Sequence, residues 1–159
     1  MRQGGVDIRQ LNADDWRVFR DVRLAALQDS PECVGRHYAK ERDGSEQQWR
    51  TFLQKASRFV AIVDNHPVGT ASVGESSFSG AADIVSVWVD PHFRRRGIGD
   101  ALIIAVIDWA KHRDLRQALL YVNEGCDDAE RLYQRHGFRR TGEAQRADGD
   151  LAHGMALTF

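Results

Sequence analysis

Residues 83–99 read DIVSVWVDPHFRRRGIG, and their interpretation decides the fold. Asp83 to Val89 is a β-branched run with apolar residues at both alternating positions, the pattern of a central strand covered on both faces. Pro91 follows, and then Arg94-Arg95-Arg96-Gly97-Ile98-Gly99 leads into a helix expected from about Ile98 to Arg113. That helix is apolar almost all round, so it is expected to pack against a sheet. Glycines at such a junction let successive backbone N–H groups converge on one point without Cβ obstruction. The helix start adds four unpaired donors and a partial positive charge, which together suit a phosphate or pyrophosphate. The local pattern equally suits a tight strand-to-helix turn with solvated arginines.

Other phosphate loops fail on specific residues. A dinucleotide fingerprint needs a third small residue at position 102, which is Leu102, and an acidic residue about 20 positions on. A Walker loop needs Gly-Lys-Ser/Thr after a four-residue gap, and there is none. His112-Arg113-Asp114-Leu115 copies the opening of a kinase catalytic loop, but the asparagine position is Leu119 and no Asp-Phe-Gly follows.

Outward from this stretch, the period alternates between strand and helix. Val6 to Leu11 reads as a strand. Asn12, with Asp15 three residues on, offers a capped helix start, and Trp16, Phe19, Val22, Ala26 and Leu27 follow at helical spacing. Ser30-Pro31 is expected to stop it, and a polar stretch runs from Glu32 to Gly44. Ser45 and Gln48 form a second capping box, opening a helix to about Ala56. Arg58–Asp64 and Val68–Gly74 read as a hairpin turned at Asn65-His66-Pro67. Ala118–Val122 is a strand, Asp127 to His136 a helix with Gly137 as its C-cap. Phe138–Arg146 and Leu151–Phe159 close as a hairpin turned at Asp148-Gly149. The order β-α-α-β-β-β-α-β-α-β-β implies an α/β fold with a mixed sheet.

The 159 residues suffice for one domain with a proper core. Hydrophobic residues are 42% and charged residues 28%, which excludes wholesale disorder and fibrous classes. Lys and Arg number 22 against 23 Asp and Glu, so the chain lacks the basic surplus of a phosphate-neutralising nucleic-acid binder. No segment approaches a membrane span and the first ten residues hold no signal-peptide run. Cys33 and Cys126 are too few for a disulfide scaffold and lack CxxC spacing, which favours a reducing compartment. The expectation is a cytoplasmic single domain over 1–159. No pair among the six histidines has metal-ligand spacing, so no metal is expected.

Three pieces together resemble the GNAT superfamily of acetyl-CoA-dependent N-acetyltransferases. They are DIVSVWV with Asp90-Pro91 and Arg94-x-x-Gly97-x-Gly99, the helix and strand ending in Leu120-x-Val122, and Ala129-x-x-Leu132-Tyr133-x-x-x-Gly137-Phe138. They cover about residues 83–142, the expected cofactor-binding core. The resemblance implies a single-domain GNAT-like α/β fold, with a mixed, mostly antiparallel central sheet, flanking helices and strands splayed at the acetyl-CoA site. Backbone N–H groups from Arg95 through Arg96, Gly97, Ile98 and Gly99 to Asp100 would hold the CoA pyrophosphate. Arg94 opens that loop, and the side chains of Arg95 and Arg96 would add charge or stand solvated. Val87, Trp88 and Val89 correspond to a bulged strand whose freed backbone groups pair with pantetheine, one N–H polarising the thioester carbonyl.

The reaction implied moves two protons. A lysine-like amine of pKa about 10.4 is neutral in only about one molecule in 10³ at pH 7, a handicap of roughly 4–5 kcal/mol, so a base helps. Tyr133 matches the family's general acid. Asp83, eleven residues before Arg94, corresponds to a glutamate of the histone-acetylating members; it is the sharpest candidate base, with Glu75 or a water chain as alternatives. Cys126 stands where the family has a cofactor-contacting asparagine, so that contact is lost, shifted or taken by Asn123 or Asp127; a cysteine in that place is otherwise an acyl-carrying nucleophile or inert. The acceptor segments supply Glu32, Glu41, Asp43, Asp148 and Asp150 with His37, Tyr38 and Arg146, which would suit a cationic amine or be plain surface. The expected activity is acetyl transfer to a primary amine by direct attack in a ternary complex, a small molecule being favoured over a protein N-terminus or lysine. The rivals are a non-catalytic CoA-binding sensor and a domain binding some other nucleotide. Expected partners are acetyl-CoA and the amine, without nucleic acid or membrane, in a monomer or homodimer.

Overall fold

The computed structural model describes residues 2–3 and 5–159, with side chains from residue 5 onward; part of the first ten residues, read above for a signal-peptide run, therefore lies outside the described residues. Eight strands form one sheet among the described residues, in the order β1-β2-β3-β4-β5-β6-β8-β7. They are β1 (Arg2–Gln3), β2 (Val6–Gln10), β3 (Ser57–Val63), β4 (His66–Glu75), β5 (Ala81–Val89), β6 (Gln117–Asn123), β7 (Arg139–Ala147) and β8 (Asp150–Thr158). The helices are α1 (Trp16–Asp29), α2 (Pro31–Val34), α3 (Tyr38–Arg42), α4 (Glu46–Lys55), α5 (Ile98–His112) and α6 (Asp127–Arg135). Every pairing is antiparallel except β5 with β6.

Both capping boxes form as read. Asn12 accepts from Asp14 N–H while Asp15 reaches back to Asn12 N–H, and Ser45 and Gln48 exchange the same bonds at α4. One face of the sheet is covered by α5, which buries Ile98, Ala101, Leu102, Ile103, Ala105, Val106, Ile107 and Ala110. Each large aliphatic side chain so buried contributes about 1.5–3 kcal/mol. The other face is covered by α1 and α4, with Trp16, Phe19, Val22, Trp49 and Leu53 packed on Val60 and Trp88.

Three local expectations change. The β3–β4 turn lies at Asp64-Asn65, both at positive φ (49° and 66°), so Pro67 is inside β4. It is tolerated there because it stands opposite Ile62, where the register shifts and a ladder donor is dispensable. The polar stretch after Ser30 contains α2 and α3, since Pro31 is well placed at a first helical position as well as at a helix end. Finally, β5 is not covered on both faces throughout: Val85 is 48% exposed.

Candidate active site

The paired part of β5 and β6 is short. Ala81, Ala82 and Asp83 face Gln117, Ala118 and Leu119, and beyond them the two strands diverge. On the other edge of β5 the register with β4 shifts between Thr70 and Ser72, so Ser86 and Val87 together oppose Ala71. Ser86 takes φ 58° to make this bulge. A parallel pair that loses its ladder, beside a bulge, opens a wedge in the sheet.

The wedge is a cleft of about 580 Å³. Val87, Trp88 and Val89 form one wall, Arg94, Arg95 and Gly97 to Asp100 one end, and Gly125 to Ala129 with Leu132 the opposite wall. Gly97 is the N-cap of α5 at φ 79°, and a Cβ there would meet nothing, so the turn leaves its backbone open to the cleft. Arg95 also takes positive φ (63°). Two left-handed residues so close in a turn give the kind of backbone on which N–H groups can converge towards an anion. Gly99 serves packing instead: a Cβ would stand 3.1 Å from Leu132 of α6.

The arginines divide. Arg94 donates to Val89 O (2.8 Å) and to Asp29 (3.1 Å), bracing the turn against α1. Arg95 lines the cleft, whereas Arg96 lies over the Phe93 ring and does not. Asp100 also lines the cleft, but its carboxylate bonds His136 (2.7 Å) and Arg135. Burial raises its pKa, and these two partners outweigh that, holding it below the usual value.

Asp29 joins the site's parts. Its Oδ2 accepts from the Ser30 hydroxyl (2.6 Å), the Trp88 indole N–H (3.0 Å) and Arg94 (3.1 Å). From there the chain crosses the wedge as a strap. Cys33 of α2 is disulfide-bonded to Cys126, the N-cap of α6. Asn123 donates to Glu32 O (2.8 Å), Arg36 grips Asp150 with two bonds (2.7 and 3.0 Å), and His37 Nε2 stands 2.7 Å from Asp148.

This disulfide corrects the cysteine readings. Cys126 lines the cleft, but as half of a cystine, so it is neither a thiol contact to cofactor nor a free nucleophile. The cysteine count no longer argues for a reducing compartment. Asn123 is engaged by the strap, which leaves Asp127 on the cleft wall.

The expected catalytic pair is not brought together at the cleft. Tyr133 is buried in the core, its ring edge-on to Phe138 at 6.0 Å, while its neighbour Leu132 faces the cleft. Asp83 is exposed at the last position of β5 that pairs with β6, opposite Leu119 there and Gly74 of β4. Four of the five acceptor-side carboxylates are paired: Glu41 with Arg23, Asp43 with Arg42, Asp148 with His37 and Asp150 with Arg36. Sequence reasoning missed Asp29, Cys33, Arg23 and Arg58, because each acts through a partner far away in the chain. Among the described residues no helix is long and apolar enough to cross a membrane, and no group of three or more His, Cys, Asp or Glu could hold a metal.

Comparison with known proteins agrees with this architecture. The chain is 30% identical over 138 residues to an uncharacterized N-acetyltransferase of Methanocaldococcus jannaschii, covering 82% of this chain and 59% of that protein. It is 39% identical over 136 residues to a mycothiol acetyltransferase of Acidimicrobium ferrooxidans, covering 78% and 44%. The chain thus spans about half the length of these curated relatives. A GNAT-family acetyltransferase from Streptococcus pneumoniae superposes with a TM-score of 0.79 at 17% identity, over 96% of this chain and 98% of the other. The PaiA N-acetyltransferase of Thermoplasma acidophilum, solved with coenzyme A, gives 0.74 at 16% identity, over 97% and 99%. The acetyltransferase (GNAT) family model matches residues 8–138, and the chain belongs to that family.

Proposed function

We propose that this protein transfers an acetyl group from acetyl-CoA to a primary amine by direct attack in a ternary complex. The observation that carries the reading is the wedge between β5 and β6, bulged at Ser86-Val87 and closed at one end by the Gly97 turn. The N–H groups of that turn and the start of α5 suit the CoA pyrophosphate, and a Cβ-free Gly97 leaves room for it. The bulge leaves backbone of Val87 to Val89 facing the cleft, where an N–H would polarise the thioester carbonyl.

Tyr133 is the proposed acid. Burial pushes its phenol above the ordinary value, so it stays protonated at neutral pH and is suited to giving a proton to the departing thiolate. Asp83 is the proposed base, directly or through water, with Glu75 on adjacent β4 as the alternative. The acceptor would enter over the exposed face at Val85 and Tyr121. The relative named as a mycothiol acetyltransferase supports a small-molecule amine. Monomer and homodimer both fit; a second copy would add at the fully exposed edge strand β7.

CoA release from acetyl-CoA across amine acceptors tests this, with Tyr133→Phe expected to lower turnover about 10²–10⁴-fold. Full activity in the variant removes Tyr133 as acid. The position of Tyr133 in the core, off the cleft wall, favours one second reading, a non-catalytic acetyl-CoA-binding module. Binding of acetyl-CoA without release for any acceptor would establish that instead.

A further inference from the structure

The sheet face that carries α1 holds a charged cluster beside the bulge. Arg23 of α1 donates two bonds to Glu41 of α3 (2.9 and 3.0 Å) and a third to the Ser86 hydroxyl (2.8 Å). One of its three contacts thus reaches the bulge, and the other two tie α1 to α3. The Arg23 and Glu41 side chains are only 17% and 13% exposed. Arg58 of β3 approaches the same cluster. Its Nε donates to Phe52 O (3.2 Å) and its guanidinium lies 5.2 Å from the centre of the Phe19 ring. Among the described residues, no carboxylate pairs with it.

Two guanidiniums therefore share one carboxylate. Burial lowers the Arg58 pKa, and Arg23 adds repulsion that Glu41 only partly offsets, bringing it to about 10. The cluster keeps one surplus positive charge at neutral pH, in a place where an unpaired charge is costly. Next to Arg58 in register is Ser72, 1% exposed, whose hydroxyl also has no partner among the described residues. Ser72 is in turn in register with Val85, one residue before the bulge. A row from Arg58 through Ser72 to β5 thus runs from the surplus charge to the reacting centre. Two strand spacings make that about 10 Å.

We propose that Arg58 is a specificity-determining residue, and that the acceptor is an amine carrying a carboxylate, held by the Arg58 guanidinium while the amine reaches the thioester at Ser86-Val87. A single negative charge cancels the surplus, whereas a phosphate's second charge would overshoot it. The planar guanidinium edge matches a carboxylate with two parallel bonds. Four of the five acidic residues that would suit a polyamine are already paired, which points the same way.

This inference rests on the acetyltransferase reading, and its test keeps the two apart. CoA release is measured with matched probes, β-alanine against propylamine, 5-aminopentanoate against pentylamine and glycylglycine against its amide, with spermidine as the cationic control. Acetyl-CoA binding is titrated in parallel. The expected result is a kcat/KM at least about 10-fold higher for carboxylate members. Arg58→Gln collapses that ratio towards one, mainly through KM of the carboxylate probe, and Arg58→Lys restores part of it. Should Arg58→Gln fail to fold, Ser72→Ala supplies a smaller drop in the same ratio. Preference for spermidine or the neutral amines overturns the proposal, as does an equal loss for both members of a pair in Arg58→Gln. So does a protein that binds acetyl-CoA and acetylates none of the carboxylate probes. Failure to bind acetyl-CoA overturns the acetyltransferase reading itself, and this inference with it.

Discussion

The two ends of the cleft are built on opposite principles. The end at α5 is made of backbone: Gly97 and Arg95 at positive φ, Gly99 pressed on Leu132, and the first turn of a helix anchored by eight buried apolar residues. The other side, the strap over residues 30–43, has little apolar anchoring of its own. None of the residues of α2 or α3 is buried. It is fastened by cross-links instead: a disulfide, an asparagine, a bidentate arginine and a histidine–aspartate contact. On the proposed reading the backbone end would hold the pyrophosphate whatever its side chains are, while the fastened side presents side chains that can differ wherever they are not part of a cross-link. That difference suits a constant cofactor and a variable acceptor.

Cutting the strap tests this contrast most severely. The Cys33–Cys126 bond closes a sequence separation of 93 residues. Its removal by Cys33→Ser or by a thiol reductant is expected to cost about 2–5 kcal/mol. In a domain of this size that lowers the thermal midpoint by about 5–15 °C. A melt unchanged by reductant would mean that the other fastenings hold the strap alone.

Asp29 links the two sides, so its loss should reach both. Asp29→Ala leaves the buried Trp88 indole N–H unpaired and Arg94 without its brace, an expected cost of about 2–3 kcal/mol. Acid does the same reversibly. Burial raises the Asp29 carboxyl, and the Ser30, Trp88 and Arg94 donors outweigh this, holding it below its ordinary 3.8. A depressed folded-state pKa means the stabilisation is complete above the unfolded value and fades as the pH falls through the folded one. Denaturant unfolding followed below pH 5 should therefore show a drop in wild type that Asp29→Ala shows less.

The smallest expected effect sharpens the contrast from the cofactor end. Gly97→Val places a β-branched residue at φ 79°, at a cost of about 1–2 kcal/mol, with its side chain projecting into the cleft. Acetyl-CoA binding by titration should weaken about 10- to 30-fold. Unchanged affinity would mean that the turn does not hold the pyrophosphate.

The sequence was most informative where structure is local. Both capping boxes and the Asp148-Gly149 turn stand where they were read, and Gly137 at φ 93° ends α6 one residue past its C-cap His136, since each depends on residues close in the chain. The Asp64-Asn65 turn was misread because a proline nearby outweighed two residues that tolerate positive φ. Within the site, ten of the eleven expected cofactor residues line the cleft, because the resemblance rests on one contiguous turn and two short signatures. Arg96 is the exception, drawn to Phe93.

By itself, then, the sequence determined a family, a strand–turn–helix with glycines at its junction, and the order of the elements around it. Periodicity and glycine placement act over a few residues, and a linear text displays them directly. Only the tertiary structure decided that Cys33 meets Cys126, that Asp29 receives three donors, that four of the five acceptor-side carboxylates are already paired, and that Arg58 is left with a surplus charge beside the bulge. Apart from the neighbouring Ser30–Asp29 and Arg42–Asp43 contacts and the Arg58 bond to Phe52, these join groups 18 to 114 residues apart, brought together by sheet register and helix packing, where side-chain chemistry alone carries no information about its partner.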